Sequence, residues 1–172
     1  TTHTTPKNLA IRRVYDDRTE NNTRRLKVRE EMEQRIYREW FVYFRYPGYE
    51  GIPNVDSEPG PIPRGWDVMR ACDALEINPA ISYDRSATRP FIPMTSVSET
   101  TMHLDPVEVR QTASGSRFQN ADTLFARITP CLENGKTGFV QCLESGQVAS
   151  GSTEFIVLRG RSVGPEFVYL LA

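Results

Sequence analysis

Cysteine and histidine are scarce in this chain: Cys72, Cys131, Cys142, His3 and His103 are all there are in 172 residues. An odd, thinly spread cysteine set excludes a disulfide framework, and no zinc-ligand spacing can be built from it. No metal and no cofactor are expected. Long apolar runs are lacking as well, since no stretch approaches the roughly 18 residues of a spanning helix. A membrane partner is therefore not expected. Thr1–Pro6 carries no basic flank followed by an apolar stretch, so no secretory leader is read there. These absences predict a reduced, soluble, cytoplasmic protein.

Neither sign of charge is in excess, with 21 Lys+Arg against 22 Asp+Glu giving −1 at pH 7. Residues 1–50 hold 11 basic and 8 acidic side chains, and residues 51–172 hold 10 and 14. A polyanion would have to be met by local basic groups, because no global positive field exists to attract it. With 38% hydrophobic and 25% charged residues, the chain has enough apolar material for a core.

Motifs for catalysis are also missing. The stretch Pro130-Cys131-Leu132-Glu133-Asn134-Gly135-Lys136-Thr137 falls short of a phosphate-binding loop, with proline where that loop needs a flexible first glycine. Asn78-Pro79-Ala80-Ile81 echoes an amino-methyltransferase signature but lacks the second proline and the aromatic ring. Glycine-rich dinucleotide loops are absent. His103 has no local nucleophile beside it and reads as a surface histidine. Cys131 reads as a buried structural thiol. No catalytic residue is assigned.

A helix, a connection and a strand-rich region are present. Thr23 to Phe44 contains no Gly or Pro, and Val28, Met32, Ile36, Trp40 and Phe44 recur every four residues with Tyr37 and Phe41 alongside. Asn21 or Asn22 could cap this helix, whose length at about 1.5 Å per residue is roughly 33 Å. The stripe needs a partner surface, either in its own domain or on another chain. Residues 47–65 are dense in Pro and Gly and read as a stiff linker between a helical segment (1–46, with a flexible N-terminus) and a domain at 66–172. In that domain Phe91–Val97, Val107–Arg110, Thr123–Ile128, Thr137–Leu143 and Phe155–Arg159 read as short strands. Gly164-Pro165 opens a final helix that is still apolar at Ala172, which reads as a C-terminal truncation. The fold class expected is α+β, a long N-terminal spacer helix before a small strand-rich domain with short helices.

Four segments carry a resemblance. Asn21-Asn22-Thr23-Arg24-Arg25, Glu30-Glu31-Met32 and Tyr37 through Gly48 resemble the central helix of specificity subunits of type I restriction–modification enzymes. Gly60-Pro61-Ile62-Pro63-Arg64-Gly65-Trp66 is similar to the junction that opens their target-recognition domains. Asp122 through Lys136 resembles the family's most recognisable stretch, and Ser152 through Arg159 the motif that follows it. This sequence departs from the pattern at Arg18-Thr19, Arg29 and Glu33 on the helix, and at Ala71-Cys72 and Ala121, where Leu and Gly are usual.

The resemblance implies a non-catalytic subunit that recognises one half of a split double-stranded DNA site and positions adenine methyltransferase and motor-nuclease subunits. A second target-recognition domain or second specificity half would supply the other half-site. Val28, Met32, Ile36, Trp40, Phe41 and Phe44 would form the seam to a partner helix. Polar and basic groups at Arg85, Arg89, Thr95, Ser96, Ser98, Arg117, Arg127, Asn134 and Lys136 are the candidate DNA contacts, being residue types that meet base edges and phosphates. Arg127 has a structural alternative, pairing with Glu133 or Glu154. Two other function classes stay open: an interaction scaffold that touches no DNA, and a small enzyme.

Overall fold

A computed structural model describes residues 6–84, 87–104, 108–111 and 114–172, with side chains described from residue 13 onward. The chain divides into two compact units, Thr1–Tyr49 and Glu50–Ala172.

The first unit is helix α1, Pro6–Tyr37, continued by a π-helical turn at Arg38–Val42. The helix begins well before Thr23 and runs through Asn21 and Asn22, so neither asparagine caps it. A mid-helix asparagine costs only a fraction of a kcal/mol, about 0.7 at most, and Pro6 suits a first-turn position. Thr19 and Thr23 bond their hydroxyls to the carbonyls of Tyr15 and Thr19, each 2.9 Å away, which removes their competition with the backbone ladder. Arg29 and Glu33 are exposed and incur no desolvation cost.

The π turn has a geometric consequence for the apolar stripe. Four-residue steps overshoot one α-helical turn by about 40° each, so the stripe spirals round the rod. A wider turn, marked by Tyr43 N–H donating to the Arg38 carbonyl at 2.9 Å, winds it back at Trp40 and Phe41. The helix ends where Phe44 takes a left-handed conformation (φ 56°), ahead of Pro47-Gly48. Arg45 then pairs with Glu39 at 3.0 Å.

The second unit opens within the Pro/Gly-rich segment. There Asn54–Val55 (β1) pairs antiparallel with Ile62–Pro63 (β2), so the stretch read as a bare linker carries a small hairpin. Ser57 Oγ donates to the Gly60 carbonyl to close it. A one-turn helix, Ala71–Ala74 (α2), leads into β3, Leu75–Ile77. The remaining strands are β4 (Arg89–Ile92), β5 (Glu108–Arg110), β6 (Ser116–Phe118), β7 (Thr123–Ala126), β8 (Thr137–Phe139), β9 (Ala149–Gly151) and β10 (Phe155–Gly160), followed by α3 (Pro165–Leu171). They form two four-stranded sheets, β3-β10-β7-β8 and β5-β4-β9-β6. Ile92, Val97, Leu104, Phe118, Leu124, Val140, Leu143, Ala149, Phe155 and Val157 make one core drawn from both sheets and their connections. Gly164 and Pro165 start α3 as the sequence predicts, and Val168 is buried.

Besides the β1–β2 hairpin, three strands of the two larger sheets, β3, β6 and β9, escape a sequence reading. In Ala149-Ser150-Gly151 nothing is β-branched or aromatic, although all three residues are buried. A methyl group on Gly151 would stand 2.6 Å from the Ile92 carbonyl oxygen and 2.9 Å from the Phe118 ring. Phe91–Val97 is also shorter as a strand than expected: β4 stops at Ile92, and Met94–Ser96 is a 3₁₀ turn after Pro93.

The register of β7 on β10 explains two of the resembling segments at once. Phe155 faces Ala126 and Leu158 faces Thr123. One further residue at each end puts Glu154 opposite Arg127 and Arg159 opposite Asp122, and both pairs are ion pairs. Arg159 reaches the fully buried Asp122 with Nε to Oδ1 at 2.7 Å and Nη2 to Oδ2 at 2.8 Å. That hydrogen bond raises the guanidinium pKa still further above its ordinary value. The Gln119 amide also donates to Asp122 Oδ2 at 2.8 Å, turning the chain into β7. In that turn Ala121 sits at φ 71°, the left-handed region, which accounts for glycine being usual there.

Ala121→Gly should stabilise the unit. Relief of about 1–2 kcal/mol of left-handed strain outweighs the about 0.5–1 kcal/mol of added chain entropy, and thermal unfolding followed by circular dichroism should shift up by roughly 2–5 °C. An unchanged or lower midpoint would contradict the strain. Asp122→Ala should cost about 3–5 kcal/mol, because it strands Arg159 without its acceptor; a loss below about 1 kcal/mol in urea unfolding would show that the pair holds little.

Candidate nucleic-acid interface

Strand register defines a basic surface. Residues paired across a ladder share a face, as do residues two apart on one strand. Arg89 opposes Arg110 and Phe91 opposes Glu108 on β4 and β5; Phe91 opposes Ser150, which opposes Arg117 on β6. These side chains therefore occupy the face of the sheet turned away from Ile92 and Phe118. The Arg110 guanidinium lies 4.1 Å from the centre of the Phe91 ring and bonds Glu108 through Nε at 2.7 Å. The Tyr83 ring holds two guanidiniums, Arg89 at 4.1 Å and Arg117 at 4.4 Å.

Beside this face two clefts adjoin. One, of ≈ 250 Å³, is lined by Asn78, Pro79, Gly115, Ser116, Arg117, Arg127, Thr153 and the start of β10. The other, of ≈ 360 Å³, is lined by Phe91, Pro93, Met94, Arg110, Ser114, Gly151, Ser152 and again Gly115 and Thr153. Arg117 and Arg127 thus line the first cleft and Arg110 the second, and the two clefts meet at Gly115 and Thr153. Arg127 pairs with Glu154 at 3.0 Å and Arg110 with Glu108, whereas among the described residues Arg117 meets no carboxylate. Asn78, in a left-handed conformation (φ 52°), accepts the Val157 amide on Oδ1 at 2.9 Å and holds the groove edge to β10.

A second polar cluster surrounds the turn from Ile128 to Lys136. Gly135 N–H donates to the Leu132 carbonyl at 3.1 Å and Lys136 N–H to the Cys131 carbonyl at 3.0 Å, with Gly135 left-handed at φ 66°. That pattern is the closure of a helical turn by glycine, and it explains Gly135-Lys136 without a phosphate loop. Asn134 Nδ2 donates to Glu99 Oε1 at 3.0 Å, which ties the turn to the loop carrying Thr95 and Ser98. Ser98 Oγ accepts the amides of Thr100 and Thr101. Thr95 is exposed, and Lys136 is half-buried with no ion pair among the described residues.

The candidate contacts therefore separate. Arg117 and Arg127 share the groove; Thr95, Ser98, Asn134 and Lys136 belong to the turn cluster. Ser96 and Arg89 are buried. Arg89 donates to the carbonyls of Asp84 and Ala87 and anchors its own loop. Arg85 lies outside the described residues. Of the two partners open to Arg127, it takes Glu154. Sequence reading missed Tyr83 and Arg110. Arg110 was reachable from the alternation of the Val107–Arg110 run, but nothing local marks Tyr83 as the ring that Arg89 and the distant Arg117 share. Cys131 is only half-buried and His103 is exposed. Among the described residues no cluster of His, Cys, Asp or Glu could hold a metal, and no helix is long and apolar enough to cross a membrane.

No protein-family model matches the chain. The specificity subunit of the type I restriction enzyme EcoAI of Escherichia coli is 31% identical over 115 residues, covering 63% of this chain and 19% of that protein. The specificity subunit of EcoEI, also of Escherichia coli, is 30% identical over 121 residues, covering 67% and 20%. This chain is a relative of the specificity subunits of type I restriction enzymes. It spans about one fifth of the length of these curated relatives. The crystal structure of the HsdS subunit from Thermoanaerobacter tengcongensis shares the fold, with a TM-score of 0.51 at 23% identity over 65% of this chain and 30% of that one. The α+β architecture of long helix and strand-rich domain is thus that of a specificity subunit.

Two glycines in this region should tolerate a methyl group unequally. Gly135→Ala meets open space and costs only backbone strain, about 1 kcal/mol. Gly151→Ala drives a methyl into the Ile92 backbone and should cost several times as much. Equal losses in denaturant unfolding would contradict the close packing of β9.

Proposed function

We propose that this chain reads DNA sequence for a type I restriction–modification complex, without catalysing a reaction itself. The relationship to named specificity subunits across two-thirds of the chain carries this reading. The arginine-bordered groove supports it physically. A net-acidic unit can meet a polyanion only through local basic groups; Arg117 and Arg127 in one cleft and Arg110 in the adjoining one supply them, Arg117 being the one of the three with no carboxylate partner among the described residues.

In this reading the strand-rich unit engages one half of a split duplex site. Arg117 and Arg127 contact from the groove, while Thr95, Ser98, Asn134 and Lys136 contact from the turn cluster, through phosphates or base edges. Arg89 and Ser96 rank lower on the geometry because both are buried; Arg85 lies outside the described residues and stays a candidate. Adenine methyltransferase and motor-nuclease subunits would carry out the chemistry in the cytoplasm.

Helix α1 would set the spacing to a second target-recognition domain or second specificity half. At about 1.5 Å per residue its α-helical part is roughly 48 Å long. Val28, Met32, Ile36, Trp40 and Phe41 are exposed along it, and Phe44 is half-buried, which suits a seam for a partner helix.

The deciding experiment is a footprint on duplex DNA with the chain assembled with methyltransferase subunits. Protection of a short bipartite site is the expected result; assembly without protection would favour a scaffold that touches no DNA. In the same complex Lys136→Ala should weaken binding to all sequences alike and lower the salt slope by about one. Affinity and slope unchanged would remove Lys136 from the phosphate contacts.

A further inference from the structure

Tyr83 stands outside every motif, yet its ring joins two arginines of opposite character. Arg89 is buried and donates from Nη2 to the carbonyls of Asp84 and Ala87, so it fixes the backbone that carries Tyr83. Arg117 is only half-buried, borders the groove and meets no carboxylate among the described residues. Both guanidiniums lie within cation–π distance of the same ring. The order is therefore anchor, platform and presented cation: Arg89 holds the loop, the loop holds Tyr83, and Tyr83 holds Arg117.

From this juxtaposition we infer that Tyr83 is a positioning residue for nucleic-acid contact, holding Arg117 ready to bind a pair of acceptor oxygens or an oxygen and a nitrogen on DNA. The inference rests on the DNA-reading function proposed above. Arg117 sits over the ring with no carboxylate on its N–H groups among the described residues, so those donors stay open to acceptors. A planar fork offered this way matches two acceptors side by side, as on a phosphate or on the major-groove edge of guanine. Arg110 and Arg127 each give Nε to a carboxylate, Glu108 and Glu154, so neither is presented in the same manner. A stacked side chain has also lost its rotamer freedom before binding, which lowers the entropy lost on contact.

The test measures binding of the chain, assembled with methyltransferase subunits, to a duplex library with a randomised central stretch at several salt concentrations. Tyr83→Phe keeps the ring and should bind like the parent. Tyr83→Leu removes the platform and should weaken binding about tenfold. Arg117→Lys keeps the charge but loses fork and stacking, and should lose as much as Tyr83→Leu. The double variant should lose little more than either single one, because both remove the same contact. Uniform loss across the library identifies the acceptor as phosphate; loss confined to sequences with guanine at one position identifies it as a base.

If Tyr83→Leu unfolds, which its thermal midpoint would reveal, the Tyr83→Phe and Arg117→Lys pair still decides the matter. Parent-like binding by Arg117→Lys, or a Tyr83→Phe loss as large as that of Arg117→Lys, would overturn the inference and leave the DNA reading intact. Failure of the parent complex to bind any duplex would overturn both.

Discussion

Asp122 is wholly buried and receives three hydrogen bonds on its carboxylate, two from Arg159 and one from the Gln119 amide. An ionised carboxylate removed from water is tolerable only when so surrounded, and this requirement ties together the turn after β6, the start of β7 and the end of β10. The neighbouring residues reinforce the junction. Asn120 bonds the Leu143 carbonyl at 2.6 Å and accepts the Leu143 amide at 3.1 Å, and the Val140 amide reaches the Asp122 carbonyl at 2.9 Å. A single turn, residues 119–122, thereby gathers strands that are far apart in sequence.

The groove inherits its shape from that junction. With β7 and β10 held in one register, Arg127 and Glu154 fall opposite each other at the far end of the ladder, beside the groove. An exposed pair of this kind adds little stability, about 0.2–1 kcal/mol. Its effect is placement: it holds one arginine against the sheet and leaves Arg117, on the other sheet, as the guanidinium without a carboxylate among the described residues. The two ion pairs along β7 and β10 thus differ: the buried one holds the junction, and the exposed one holds Arg127 beside the groove.

Some of this was legible in the sequence. The long helix, the α3 start at Gly164-Pro165 and five of the strand positions followed from periodicity and from Pro and Gly punctuation, which act locally. The start of α1 was misplaced because an asparagine pair is as compatible with a helix interior as with a cap, and only cooperativity along the rod decides between them. β9 was invisible since it has no β-branched or aromatic residue, and the packing of Ile92 and Phe118 that requires Gly151 comes from other strands. Among the candidate contacts, Ser96 and Arg89 are polar residues of the right type in loops of the right composition, and composition carries no information about burial.

By itself the sequence determined the long helix, five of the strands, the start of the last helix and the family relationship, because helix pattern, turn chemistry and motif order are properties of residues close together along the chain. Tertiary structure alone decided that Asp122 meets Arg159, that Glu154 rather than Glu133 takes Arg127, and that Tyr83 lies under both Arg89 and Arg117. Those contacts span 27 to 37 residues for the ion pairs and depend on strand register. A shift of one residue turns every side chain to the opposite face of its sheet, and no local preference along the chain encodes that choice.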